Sequence, residues 1–370
     1  MNALDQSLHA IENETINYTE PHQFLMAAKA RALMRGYDAR WHRAGYVTIS
    51  VEDMLMGPIQ NPDTNRPAKV FRMAGKLDVL ATLQGRLTLI DHKTTSQDIT
   101  DPNSPYWRQL AVDSQVSHYM LLSWLNGQKI DDAVWDVIRK PSISPKKLTK
   151  ADHKKTMESK LYFGETVSDD DIAELNTTGR ETHNMYGSRL AHDCMNERPD
   201  WYFQRRSVPR FDGEILDYAN ELWQHSKDVL HERKKELPVR NSGACMLYGS
   251  PCQFLGICSG HDTVESDRWK KKECVHAELP EIEGDGKNIL TNSRIRCFQT
   301  CRRKHHYQYE LGIERNDSED REALVFGSLM HVALETWFNC FLTPKESEND
   351  NCNSTPANDV GKPAADLIPF

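Results

Sequence analysis

The hydrophobic pattern changes period several times along the chain, and each change marks an element. Over 22–35, Phe24, Leu25, Ala28, Leu33 and Met34 recur close to helical spacing, which predicts a helix. Over 46–51 apolar and polar residues alternate, as in a strand with one covered face. The run GKLDVLATLQGRLTLIDHKTT, 75–95, holds two β-rich segments on either side of Gln84-Gly85 and predicts a tight hairpin. A helix is expected from about 107 to 125, a buried strand over 133–138, a strand over 201–208 and one long amphipathic helix over 213–235. The stretch 149–195 is polar and mostly helical, without a sharp signature. Further on, 242–260 reads as a Cys/Gly/Pro loop, 290–309 is basic and aromatic, 323–341 is an apolar helix, and 345–370 is rich in Asn, Ser, Pro and Asp and is expected to be disordered. The opposite faces of the hairpin, with Leu77, Val79, Ala81 and Ile90 on the apolar one, imply a sheet covered on both sides and an α/β layered fold.

Composition narrows the function classes. The 370 residues are 38% hydrophobic and 27% charged, enough for a sizeable core. No apolar run approaches the ~20 residues of a membrane span. The first residues show no basic segment followed by an apolar one, so the expected location is the cytoplasm and no membrane partner is expected. With 46 Lys and Arg against 54 Asp and Glu, the net charge is -8, so any contact with nucleic acid must be local. Nine cysteines in a reducing compartment point to metal ligands or buried thiols rather than disulfides.

The hairpin carries the chemistry. With Gln84 and Gly85 at the turn, Asp78 falls opposite Asp91, and two carboxylates facing each other across a ladder repel. A divalent cation compensates them, because hard cations such as Mg2+ and Mn2+ take carboxylate oxygens and keep positions open for water and phosphate. Lys93, two residues beyond Asp91, projects to the same face. A cation beside metal-bound acids suits phosphodiester hydrolysis. Glu52, ending the preceding strand, is a weaker candidate for the same metal.

Gly75-Lys-Leu-Asp78, then Ile90-Asp91-His92-Lys93-Thr94-Thr95, then Gln115-Val-Ser-His-Tyr119 resemble three successive motifs of the RecB-like branch of the PD-(D/E)XK nuclease superfamily. The resemblance implies a restriction-endonuclease-like core with a mixed central sheet. It also implies metal binding by the two acids, catalytic assistance by Lys93, and a DNA path lined by Gln115 and Tyr119. Spaced i and i+4, those two residues share one face of a helix.

Cys245, Cys252 and Cys258 lie in one Gly/Pro loop and need a fourth ligand to close a four-thiolate site, either an iron-sulfur cluster or a structural zinc. Nucleases of the resembled branch often carry a 4Fe-4S cluster whose first cysteine lies far upstream of the other three. Here no cysteine precedes the hairpin. Instead, the segment 290–307, with Cys297 and Cys301, resembles the usual opening of such a domain, and Cys301 matches the position of the first cluster ligand. Phe326-Gly-Ser-Leu-Met-His331 resembles the family's first motif, which implies His331 as a further metal ligand. Cys194, Cys274, Cys340 and Cys352 read as ordinary thiols. Arg302, Arg303 and Lys304, beside Tyr307 and Tyr309, read either as a solvated face or as a phosphate-binding patch.

The usual beginning therefore stands at the end. Either the domain is circularly permuted, or a shortened second copy follows a domain that lacks its start. In these terms the chain divides into a core with three cluster cysteines (1–260), a linker (261–289), a segment packing on the core (290–342) and a disordered tail (343–370). The function expected from the resemblance is a Mg2+- or Mn2+-dependent deoxyribonuclease, an exonuclease by preference, working on DNA with a helicase or with recombination or phage-replication partners. The rival is a noncatalytic DNA-binding or scaffold protein that keeps the fold. No GxxxxGK[ST] phosphate loop occurs in the sequence.

Overall fold

The structure is a computed structural model that describes residues 2–279, 282–316 and 322–342. The tail expected to be disordered lies outside the described residues. A six-stranded mixed sheet forms the centre: β1 (Tyr46–Gln60), β2 (Pro67–Leu83), β3 (Arg86–Thr95) and β4 (Asp132–Arg139) lie side by side, followed by Phe203–Ser207, while Ile289–Leu290 joins β2. β1, β2 and β3 run antiparallel in succession; β4 is parallel to β3. A parallel connection needs a crossover, and this one holds the Ser114–Leu125 helix over one face of the sheet.

The hairpin has the register that the sequence predicts. Rungs run from Leu83↔Arg86 to Val79↔Ile90. Gln84 and Gly85 both have positive φ, 51° and 78°, as a two-residue turn matching strand twist requires. Two corrections apply nearby. The helix expected over 107–125 is two helices, Pro105–Ala111 and Ser114–Leu125, because Asp113 leaves helical geometry and accepts the Gln115 N–H at 2.9 Å as an N-cap. Leu77 does not join Val79, Ala81 and Ile90; it packs with Leu80 and Leu89 on the other side, since the ladder is interrupted around Asp78 and strict alternation fails there.

Two cores sandwich the sheet. One packs Leu77, Leu80 and Leu89 against Val116, Met120 and Leu121 of the crossover helix and Leu222 of the Asp212–Arg233 helix. The other packs Val79, Ala81 and Ile90 against the Pro21–Trp41 and Glu322–Asn339 helices through Leu33, Met34, Met330 and Leu334. The long helix opens with Pro21 at a position whose N–H has no intrahelical acceptor.

The polar stretch after β4 forms a small satellite whose helices start at side-chain caps: Thr149, Ser168 and Thr182 each accept a backbone N–H three residues on. Its apolar centre is Leu148, Tyr162, Val167, Leu175 and Met185. The stretch 261–289 does more than connect. Leu279 and Ile289 bury against Ala74 of β2, and Trp269–Lys271 pairs with Ile313–Arg315. Fully buried Arg294 ties this region together, donating to the carbonyls of Lys287 and Ile289 and to Glu310.

Candidate active site

The strands part beyond Val79↔Ile90, and side chains fill the gap. One Asp78 oxygen accepts the His92 N–H at 2.8 Å. On the far side, β1 pairs Val51 with Val79 and Asp53 with Leu77, leaving Glu52 opposite Asp78 at a φ of 52°. A non-glycine residue in that region stores of order 1–3 kcal/mol of strain. The distortion brings Glu52 to Asp78, and with His331 of the C-terminal helix their donor atoms all lie within 4.8 Å of one another. Among the described residues this is the one such group of three or more metal-ligating side chains. His331 Nδ1 lies 3.9 Å from the Asp78 carboxylate.

Asp91 is buried next to this group. One of its oxygens takes the Lys93 ammonium, while the other is buried with no hydrogen-bond partner. Lys93 also donates to Gln115 Oε1 at 3.0 Å, and Gln115 Nε2 donates to the Tyr119 hydroxyl at 3.0 Å. The Trp135 ring lies under the ammonium at 4.9 Å. Gly75 is required by this arrangement: a β-carbon there would stand 2.7 Å from the Tyr119 ring. The structure thus brings together Asp78, Asp91, Lys93, Gln115, Tyr119 and His331, although the histidine comes from the opposite end of the chain.

Charge at the site is poorly compensated. Burial, and then the neighbouring Asp91 carboxylate, push the Asp78 carboxyl up to about 7. Burial works against the Lys93 charge, yet Asp91 and Asp78 outweigh it and raise its pKa. Burial lowers the His331 imidazole, leaving it in the neutral form that binds a metal. An orphaned carboxylate oxygen, a carboxyl held against its charge and an all-oxygen-and-imidazole donor set are features that a hard divalent cation satisfies.

Behind β3, His92 Nδ1 lies 3.1 Å from buried Asp136, which Tyr37 and Arg205 also hold. Burial opposes the Asp136 charge, but Arg205 and His92 prevail and keep it ionised. This buried network was not legible in the sequence, since its members are spread over four elements.

Glu52, Lys76, Asp78, Gln115, Asn292 and Glu335 are among the residues that line an open cleft of about 390 Å³ around these groups. Its walls come from both ends of the chain.

The cysteines lie apart from this cleft. Cys252 N–H donates to the Cys245 carbonyl at 2.7 Å, and Asn241 bridges the set: its N–H donates to Cys301 Sγ at 3.4 Å and its carbonyl accepts from Cys245 Sγ at 3.8 Å. Burial raises the Cys258 thiol, while Arg303 counters it and Cys252 and Cys301 add to the rise. Phe254, Trp269, Tyr307 and Ile313 form the small core beneath. Cys297 is pushed up to about 12 by burial and donates to Gln308 at 3.8 Å. Buried Cys194 and exposed Cys340 stand elsewhere, and Cys352 falls outside the described residues.

A mixed α/β sheet flanked by helices, with two acids and a lysine where a hairpin opens, matches a restriction-endonuclease-like fold. The family model of the PD-(D/E)XK nuclease superfamily matches residues 2–258 and 289–360, and the chain belongs to that superfamily. Searches of curated proteins and of solved structures return no match. Membership implies a nuclease-like function on DNA, in a superfamily that typically uses Mg2+ or Mn2+. Among the described residues no helix is long and apolar enough to cross a membrane.

Proposed function

We propose that this protein is a metal-dependent deoxyribonuclease, acting as an exonuclease of the RecB-like type, whose site is completed within one chain by its C-terminal segment. The observation that carries the reading is the approach of Glu52, Asp78 and His331 beside a buried Asp91 oxygen that lacks a partner. Asp78, Asp91, His331 and Glu52 would hold Mg2+ or Mn2+, which when bound supplies an activated water and spreads charge on the phosphate. Lys93, fixed between Asp91 and Gln115, orients the attacking water and offsets charge building on the phosphate oxygens. Gln115 and Tyr119 hold the lysine and border the DNA path. Of these residues, Glu52 was only a weak candidate from sequence; the positive φ opposite Asp78 is what recruits it.

Cys245, Cys252, Cys258 and Cys301 are proposed as ligands of a 4Fe-4S cluster with a structural role. Their shared lobe and the Asn241 bridge support this. A structural zinc on the same four thiols is the alternative occupant, told apart by its lack of colour. The segment 290–342 is read as the permuted opening of the domain, and a separate helicase is proposed to supply strand ends.

The test is Mn2+-dependent digestion of end-labelled linear DNA and of closed circles by the intact chain and by Lys93→Ala. Release of end label by the intact chain alone, with circles spared, supports the reading. Cleavage of circles would make it an endonuclease, and inertness of folded, brown protein would favour a noncatalytic binder.

A further inference from the structure

The Asn292–Thr300 helix spans the distance between cleft and cysteines. Its first turn borders the cleft through Asn292 and Ser293, and it ends at Cys301, whose N–H donates to the Cys297 carbonyl at 3.0 Å. On the way it grips the start of the Ser114–Leu125 helix twice. The Ser114 hydroxyl donates to Asn292 Oδ1 at 2.8 Å, and Arg296 Nη1 pairs with Asp113 Oδ2 at 3.0 Å. The other oxygen of Asp113 accepts the Gln115 N–H, so one carboxylate is shared between the clamp and the residue that holds Lys93.

The geometry points to Asn292 and Arg296 as positioning residues that keep Lys93 on Asp91, acting through Asp113, Ser114 and Gln115. The inference rests on the reading of Lys93 as the group that assists water attack. A first helical turn is the part of a helix held least by its own hydrogen bonds, so outside clamps decide where it sits. The Arg296 side chain is 49% exposed and Asp113 is 8% exposed. An ion pair with one partner in solvent adds little to global stability, about 0–1 kcal/mol, whereas displacing a reacting group by about 1 Å costs on the order of 100-fold in rate. A rate effect out of proportion to any stability effect is therefore the signature.

The experiment uses the full chain with Arg296→Ala, Arg296→Lys and Ser114→Ala, each alone and in a Gln115→Ala background. The expected result is a kcat lowered about tenfold by Arg296→Ala at nearly constant KM, mostly restored by lysine, and no further loss once Gln115 is gone. A loss that persists without Gln115, or that falls on KM, makes Arg296 a direct DNA contact and overturns the inference; so does no loss at all. If the unaltered chain cleaves no DNA, the functional reading fails by itself, and amide hydrogen exchange still decides this one. Faster exchange at residues 115–119 in the Arg296→Ala, Ser114→Ala double variant, with unchanged Tm, supports the clamp; unchanged exchange refutes it.

Discussion

The cleft and the cysteine lobe hold their candidate ligands by different means. In the cleft, Glu52, Asp78 and Asp91 stand on three adjacent strands of 15, 17 and 10 residues, and His331 on a helix of 18. Both faces of that sheet are packed, so the donors are placed by the fold itself. In the lobe, Cys258 sits in a helix of five residues, Cys245 follows a 3-10 turn, Cys252 lies in irregular chain and Cys301 joins a helix of nine residues to one of four, over four buried apolar side chains. So small a core stabilises little by itself, and a bound group there contributes folding energy rather than chemistry. On the proposed reading, the cleft is preorganised by the fold for catalysis, while the lobe would depend on a bound group to keep its shape.

The largest test of that contrast is at the cleft. Lys93→Ala should lower cleavage by about 1,000-fold or more, while the variant, destabilised by the unpaired Asp91 carboxylate, still folds and binds Mn2+ in calorimetry. A loss under about tenfold would remove Lys93 from the chemistry. In the lobe the outcome should invert. Cys301→Ser should bleach the brown colour, lower Tm by more than about 5 °C and open 234–272 to trypsin, yet leave Mn2+ binding by the folded fraction intact. Retained colour and protease resistance would break the comparison.

Acid should weaken the scaffold behind the cleft. His118 Nε2 faces the Ala74 carbonyl at 3.0 Å and must carry the proton, so Nδ1 accepts from Tyr218 at 2.8 Å; the ring is neutral and burial lowers its pKa from 6.5 to about 4. Unfolded chain takes up this proton near pH 6.5 and the folded chain only near 4, so stability is full above that window and is lost as pH falls through it. The contribution lost is on the order of 3 kcal/mol, read as the difference between the urea midpoints of unaltered and His118→Gln protein across that window, because Asp78, raised to about 7, titrates with the opposite sign. Parallel pH profiles of the unaltered and His118→Gln proteins would contradict the neutral buried ring. The smallest effect is at Glu52. Glu52→Gly should relieve the strain of the positive φ and stabilise metal-free protein by about 1 kcal/mol while weakening Mn2+ binding. Tighter binding in that variant would strike Glu52 from the ligand set.

Much of the cleft is local in sequence, and so it was legible. A two-residue turn sets the hairpin register by counting and so groups Asp78, Asp91 and Lys93, whereas Gln115 and Tyr119, on one helical face by i, i+4 spacing, were singled out by the motif resemblance. What escaped depends on interruptions of regularity or on long-range contact. The distorted rung that turns Glu52 and redirects Leu77 has no turn residue to announce it. The break at Asp113 hides in a run that is helical by period, because a capping side chain outweighed propensity. The Asp136 network and the Arg296 clamp join residues far apart in the chain, which periodicity does not address.

The position of His331 sets a timetable for the protein during synthesis. The strands bearing Asp78 and Asp91 can pair early, but the cleft wall that holds His331 and Glu335 is made last. At a translation rate of ~5–20 residues per second, the roughly 240 residues between Asp91 and His331 take tens of seconds to emerge. Through that interval the nascent chain has its acids and lysine but lacks the histidine. On the proposed reading, a site built in this order is completed only once the segment bearing His331 has emerged from the ribosome.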